Sequence, residues 1–455
     1  MSRRGNGNSR RLSRKETERV RLANLRQQLE YCYQRSEFFK NRFDQVGFRP
    51  DDIRTWEDFR RLPVLMTKDD ERTGRDESLA GFGHPFGMHL CVPPGSIVVS
   101  KTTSGTTGTP TFSYSFTRRD IQRWNRLFAR AFRGLVQLKR GDRLLCCFPL
   151  SGGGGSSGGL MTGVFTYIGA LTIDIGAEAP AQKVFDFARL TRPNVLVASP
   201  SLAEILVLKY QEMAGRDIKE LGFVKLLLSG EPGIAIPAVK RRMEDVFGAK
   251  WYDFLAANGE GFSASCGTEQ YHGLHEVAPE WSICIEDLVD PVTRKPVEVG
   301  DGAVGEAVLT SLGREGAPYI KYASGDVYRV FTRQCECGFA GPGYTKKLLG
   351  RVGDMLLVGN TRVFATEVRE VVASFMPRVT GGMRIVLRGP LPEVEPPLRV
   401  KVERGVEVQG EALDTLRAEL VHAMRTRLGV VAEFELMEPY SLERALLKTP
   451  LFERR

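Results

Sequence analysis

Between residues 143 and 254 short apolar runs alternate with segments of helical spacing, and this alternation constrains the fold more than any other feature of the sequence. The runs at 144–148, 171–175, 195–198, 224–228 and 251–254 have strand length, while 202–213 and 236–247 carry apolar residues at helical intervals. Strands that alternate with helices need crossovers, crossovers are right-handed, and the outcome is a doubly wound, mostly parallel sheet covered on both faces. The expected class is α/β.

The pattern changes after Gly350. A helix near 365–376, strands near 383–387 and 398–403, a helix near 411–428 and a strand near 430–437 predict a smaller α+β unit. The glycines of Gly350-Arg351-Val352-Gly353-Asp354 could serve a hinge. Val20, Leu22, Leu25, Leu29 and Tyr33 predict one long helix over 20–46. The expected organisation is a basic tail over 1–19, a large body over 20–350 and a lid over 351–455.

The 455 residues hold 64 Lys plus Arg against 55 Asp plus Glu, a net charge of +9, which invites a nucleic-acid or membrane reading. Six of those positive charges, Arg3, Arg4, Arg10, Arg11, Arg14 and Lys15, sit in the first fifteen residues without an acid or an aromatic to stack on bases, so a solvated tail accounts for them. The segment also lacks the apolar core of a signal peptide, and no run reaches about 18 apolar residues. No nucleic acid and no membrane are therefore expected as partners, and the location is read as cytoplasmic, with reduced cysteines.

The sharpest local feature is Lys101-Thr102-Thr103-Ser104-Gly105-Thr106-Thr107-Gly108-Thr109-Pro110-Thr111, set between strand-like 97–99 and alternating Phe112, Tyr114 and Phe116. A Walker A loop opens a helix and ends in Gly-Lys-Ser/Thr, which this does not. Glycines that let backbone N–H groups converge, with a density of hydroxyls, can still wrap polyphosphate oxygens. Composition alone does not separate this from a polar surface hairpin.

The order of motifs does. The string Ser-Gly-Thr-Thr-Gly-x-Pro-Thr resembles the nucleotide loop of the adenylate-forming superfamily of acyl-CoA synthetases and adenylation domains. Ser229-Gly230-Glu231-Pro232 resembles the adenine-side motif of its phenylacetate-CoA ligase-like branch. Further matches follow in order at Gly305 to Thr310, Pro318 to Asp326 and Gly350 to Leu356, with Leu62-Pro63 and Thr67-Lys68-Asp69 ahead of them. The resemblance spans about residues 20–455. It implies that Ser104, Gly105, Thr106, Thr107, Gly108 and Thr109 hold the phosphates of ATP, with Thr107 counted among the catalytic groups. It implies that Glu231 and Pro232 line the adenine pocket, with Tyr252 and Asp253 beside the nucleotide. Asp326 would take the ribose hydroxyls, as an acceptor-only carboxylate can, and Arg351 would sit at the interdomain edge.

Several positions depart from the family. Aligned without gaps from Tyr252 to Cys266, the acidic residue that holds Mg²⁺ falls on Ala256. Glu260 could replace it if the loop is rebuilt, phosphates and water alone could hold the ion, or activity could be altered. The family's carboxy-terminal Gly-Lys falls on Leu446-Leu447, and Lys448 is the nearest lysine able to offset charge in an adenylation transition state. Thr109, Ala323 and Gly353 stand where charged residues are usual.

Cys266, His272, Cys335 and Cys337 offer three sulfurs and an imidazole, a set that fits tetrahedral zinc, with His275 of Gly273-Leu274-His275 as the rival fourth ligand. Some relatives of this branch carry a structural zinc at corresponding cysteines. Ser151 to Gly159 reads as linker chemistry that could also let a backbone approach substrate.

The expectation is an ATP-dependent aryl-acid:CoA ligase with ATP, Mg²⁺ and coenzyme A as cofactors and a structural Zn²⁺. Alternatives are transfer to an amine or carrier protein in place of CoA, or a degenerate homologue that binds nucleotide or acyl ligand without turnover. A homodimer is left open.

Overall fold

The computed structural model describes residues 14–102, 111–112, 114–149, 158–231, 236–257, 259–268, 273–339, 344–445 and 449–454. A thirteen-stranded sheet forms its backbone. In spatial order Leu171–Asp174, Arg143–Cys146, Val195–Ala198, Lys225–Leu228 and Lys250–Ala257 are all parallel, and each lies where the sequence predicts a strand. Alternation along the strands explains how both faces are covered. Leu144, Cys146, Val195 and Val197 point into one core with helices Arg118–Ala131 and Gly158–Ile168. Leu145, Cys147, Leu196 and Ala198 point into another, with helices Ala181–Thr191, Pro200–Ala214 and Pro237–Phe247.

Beyond Lys250–Ala257 the same sheet continues antiparallel through Glu260–Ala264, Leu274–Glu276, Thr345–Arg351, Tyr322–Phe331 and Val304–Ser311. This half holds buried charge. Arg314 Nη1 meets Glu260 Oε1 at 2.8 Å, Lys346 Nζ meets Glu276 Oε2 at 2.9 Å, and Lys321 Nζ meets Asp287 Oδ2 at 2.9 Å, all out of reach of solvent.

The expected helix over 20–46 is two helices, Arg14–Arg35 and Glu37–Gln45. Ser36 between them has extended backbone (φ −130°, ψ 117°) and donates its hydroxyl to Met88 O at 3.1 Å, a tertiary bond that competes with helix continuation. The break lets Leu25, Leu29, Phe39 and Phe43 reach one core with Ile283, Leu312 and Ile320.

After Thr345–Arg351 and a single turn at Val352–Asp354 the chain builds a separate core. Helices Ala365–Ala373 and Glu411–Leu428 pack on a four-stranded sheet ordered Ala432–Met437, Leu398–Arg404, Val379–Leu387, Phe452–Arg454. The two lobes meet across Arg329–Glu367 (2.9 Å) and where Phe364 covers Gly350. A Cβ at Gly350 would lie 2.9 Å from the Phe364 ring, and φ is +156°, so this close approach needs glycine.

Candidate active site at the seam between the lobes

Connections from Arg143–Cys146 and Val195–Ala198 leave toward opposite edges of the sheet, which makes their carboxyl ends the switch point where open α/β sheets bind ligands. Ser199 follows the second strand as N-cap of helix Pro200–Ala214, accepting from Leu202 N at 3.0 Å. Glu231, three residues past strand Lys225–Leu228, accepts at 2.9 Å from Ser201 N and at 2.8 Å from Ser201 Oγ. Burial pushes the Glu231 carboxyl above its ordinary range, opposed by Arg369 and the Ser201 bonds. Ser201 Oγ also meets Thr449 Oγ1 of the small lobe at 2.7 Å. The predicted adenine-side acid is thus one hydroxyl away from the carboxy-terminal segment.

A second piece of the seam is Asp326 with Arg351. Strands Tyr322–Phe331 and Thr345–Arg351 place them opposite one another, with Arg351 Nε 3.4 Å from Asp326 Oδ1. The position depends on Gly325, whose φ of +79° turns its N–H onto buried Glu306 Oε1 at 2.8 Å. Asp326 raises the Arg351 pKa. Asp326 is nearly buried while the guanidinium is half exposed, so the pair presents an anion flanked by a cation.

Lys68 is a residue the sequence reading left without a role. Thr67 caps helix Lys68–Phe82, and from its first turn Lys68 Nζ donates to Glu71 Oε2 at 2.7 Å and to Thr111 Oγ1 at 2.5 Å. Tyr319 and Tyr322 donate to the same Glu71 carboxylate at 3.0 and 3.1 Å. The Thr-Lys-Asp stretch therefore ties the base of the hydroxyl-rich loop to the strand that bears Asp326. Across that base Lys101 and Tyr114 exchange backbone bonds of 3.3 and 3.2 Å, and Ile97–Val99 pairs with Phe116–Thr117, a stem between strands as expected. Ser104 to Thr109, Pro232, His272 and Lys448 lie outside the described residues.

Tyr252 and Asp253 diverge, since neighbours on a strand face opposite ways. Tyr252 joins the core that holds Cys266, and Asp253 is fully buried on the other face, accepting from Trp251 Nε1 while its Oδ2 has no hydrogen-bond partner. Its carboxylate does not open to the cleft. Burial lifts the Asp253 pKa to about 7, against the Trp251 bond and Lys240. Nor is Glu260 available to a metal. It accepts from Ser311 Oγ at 2.7 Å and from Arg314, and burial pushes its pKa to about 7. Ala256 contributes a carbonyl that accepts from Tyr114 OH at 3.2 Å.

Cys266, Cys335 and Cys337 converge with His275, all four donor atoms lying within 4.8 Å of one another. The Cys266–Cys335 sulfurs are 3.6 Å apart and Cys337 Sγ is 3.5 Å from His275 Nε2. Tetrahedral zinc with bonds of about 2.3 Å has edges of about 3.7 Å, so the donor set fits that ion. Burial opposes ionisation of Cys266, yet hydrogen bonds from His275, Thr268 and Cys335 bring its pKa to about 6, while burial pushes the Cys337 thiol up to about 12.

No family model matches the sequence. A curated "Phenylacetate-coenzyme A ligase" from Thermus thermophilus is 27% identical over 454 residues, covering 94% of both chains. A crystal structure of 2-hydroxyisobutyryl-CoA ligase in the postadenylation state, in complex with 2-HIB-AMP, superposes with a TM-score of 0.82 at 27% identity over 96% of this chain and 89% of that one. These similarities, over nearly the whole of each chain, support the adenylate-forming superfamily. The same ligase, in complex with 2-HIB-AMP and CoA in the thioesterification state, gives 0.65 at the same identity, covering 97% and 91%. Since sequence similarity is equal, the contrast is conformational, and this chain holds its lobes as the postadenylation structure does.

A carboxyl raised in the folded state, as Asp253 is, stabilises fully below its unfolded pKa of 3.8 and loses that contribution as pH rises through about 7. Asp253→Asn should therefore match wild type in thermal unfolding near pH 4 and melt a few degrees higher above pH 7.5. A variant that melts lower at pH 8.5 would contradict this account of the residue.

Proposed function

We propose that the protein is an AMP-forming acid:CoA ligase that activates an aromatic carboxylic acid. The reading is carried by two groups of residues, Glu231 and Ser201 at the switch point bonded to Thr449 of the small lobe, and Asp326 paired with Arg351 where the chain enters that lobe, in a lobe pose that superposes on an acyl-adenylate complex. In this reading ATP lies along the carboxyl edge with its phosphates toward the loop at Ser104 to Thr109. Asp326 accepts both ribose hydroxyls, with the Arg351 guanidinium flanking its carboxylate. The acid attacks the α-phosphate, pyrophosphate leaves, and Lys448 offsets the developing charge. Rotation of the small lobe about 350–354 then admits the CoA thiolate to the acyl carbon. The aromatic preference rests on the branch resemblance.

For Mg²⁺ the described residues do not fit. Ala256 has no carboxylate and Glu260 is committed to Arg314, so the ion would arrive on the phosphates of ATP, which suits its reluctance to shed water. Zinc does fit. Cys266, His275, Cys335 and Cys337 would close its shell, so the role would be structural, joining strand Leu274–Glu276 to the 335–337 turn. Among the described residues no helix is long and apolar enough to cross a membrane.

ATP–pyrophosphate exchange over a panel of aryl acids tests the reading. Exchange that depends on one acid and needs no CoA, followed by thioester only when CoA is added, is the expected result. No exchange with any acid despite measurable ATP binding would favour the binding-only alternative, and an amide formed without CoA would favour the amine acceptor. Metal analysis tests the zinc: about one equivalent is expected per wild-type chain and a marked loss in Cys335→Ser. Unchanged metal content would reject the site.

A further inference from the structure

Helix Arg118–Ala131 carries Arg123, Arg126 and Arg130 at helical intervals along one face, and Arg133 follows in the turn at Phe132–Val136. These four arginines line a cavity of about 330 Å³ together with Tyr167 and Glu280. Four guanidinium groups against one carboxylate leave a local excess of three positive charges. The bonds that hold the arginines do not remove it. Arg123 donates to Leu312 O at 2.5 Å, to Gly313 O at 2.9 Å and to Glu280 O at 2.5 Å, and Arg133 donates to Tyr167 O at 3.2 Å and Ile168 O at 3.3 Å. Carbonyl oxygens fix a guanidinium without supplying a countercharge. Arg130 pairs with Glu280, and Arg126 has no hydrogen bond or ion pair among the described residues. Burial lowers the Arg123 pKa and Arg126 lowers it further, against Glu280 and Glu260.

The cavity lies away from the seam. Helix Gly158–Ile168 starts beyond the carboxyl end of strand Arg143–Cys146 and ends where the parallel strand Leu171–Asp174 begins, and Arg133 grips its last residues. The arginines therefore sit toward the amino edge of the parallel sheet, opposite the switch point. We propose that this cavity binds a diphosphate group, free or as part of a nucleotide, at a site separate from the proposed ligase centre. Guanidinium forks match phosphate oxygens two at a time, and Arg123, Arg130 and Arg133 are already held, so little ordering remains to be done on binding. A phosphate monoester carries up to about −2 near pH 7 and a diphosphate monoester about one charge more, which matches the excess of three. A single carboxylate would leave two cations unanswered. Tyr167 is 51% exposed and gives the cavity an aromatic wall beside buried Leu127, a concave and partly apolar lining that suits a small molecule rather than a flat bilayer or a duplex.

Equilibrium dialysis of the full-length protein at low ionic strength, with labelled pyrophosphate and labelled ADP as probes, tests the site by comparing wild type with Arg126→Glu. Arg126 is exposed and holds no partner among the described residues, so the reversal should leave thermal unfolding unchanged. Wild type should bind one more equivalent of diphosphate than Arg126→Glu, or bind that equivalent about tenfold more tightly, and Arg126→Lys should retain it. Arg130→Gln should weaken both probes as well. Because the result is a difference, a nucleotide held at the seam adds equally to both proteins, and failure of the ligase reading leaves the difference intact. Tyr167→Ala, which keeps the carbonyl that holds Arg133, separates the two sources. A loss for ADP alone assigns the nucleotide, and no loss for either probe assigns free pyrophosphate. Equal binding by wild type and Arg126→Glu would overturn the site, as would binding of anionic lipid vesicles with no diphosphate retained.

Discussion

Buried charges must be paired, and in this chain that requirement organises the antiparallel half of the sheet. Glu260–Arg314, Glu276–Lys346 and Asp287–Lys321 each join segments far apart in sequence, and each sits where solvent cannot compensate an error of register. A one-residue slip in Leu274–Glu276 would turn Glu276 out and strand Lys346 among apolar residues. The same pairs thus fix strands Thr345–Arg351 and Tyr322–Phe331, which bring Arg351 opposite Asp326. Lys321, inside the segment that resembles a nucleotide motif, serves this purpose and points at Asp287.

The parallel half contributes the other wall. Its switch point collects Ser201 from one crossover and Glu231 from the next, and the small lobe closes over them through Thr449 and Arg444. Each half is positioned by its own chemistry: alternating apolar residues between helices in the parallel half, paired charges in the antiparallel half. The proposed ribose-side acid Asp326 and the proposed adenine-side acid Glu231 lie on different halves, so the proposed function requires both.

Much of this was legible in the sequence. All five parallel strands fall at the predicted runs, because a strand between two helical layers must be apolar on both faces and so announces itself. The helix at 411–428 appears as predicted for a related reason, its Leu416, Leu420, Ala423 and Met424 forming one buried stripe. The antiparallel continuation was not legible, since Ser263, His275 and Glu276 look like loop residues until Lys346 and the cysteines arrive from seventy residues away. His275 joins the sulfurs because Leu274–Glu276 pairs with Thr345–Arg351, a register no local pattern encodes. The break at Ser36 and the reach of Lys68 to Thr111 are likewise tertiary, one made by Met88 and the other by a residue 43 positions on.

The central chemical step of the proposed function is the joining of an acid to AMP before any acceptor arrives. A single-turnover experiment with enzyme in excess, quenched in acid and analysed by mass spectrometry, addresses it directly. Without CoA, acyl-adenylate and pyrophosphate should form in equal amounts and persist, then convert to thioester and AMP when CoA is added. Formation of ADP and phosphate, or of thioester with no adenylate preceding it, would contradict the account.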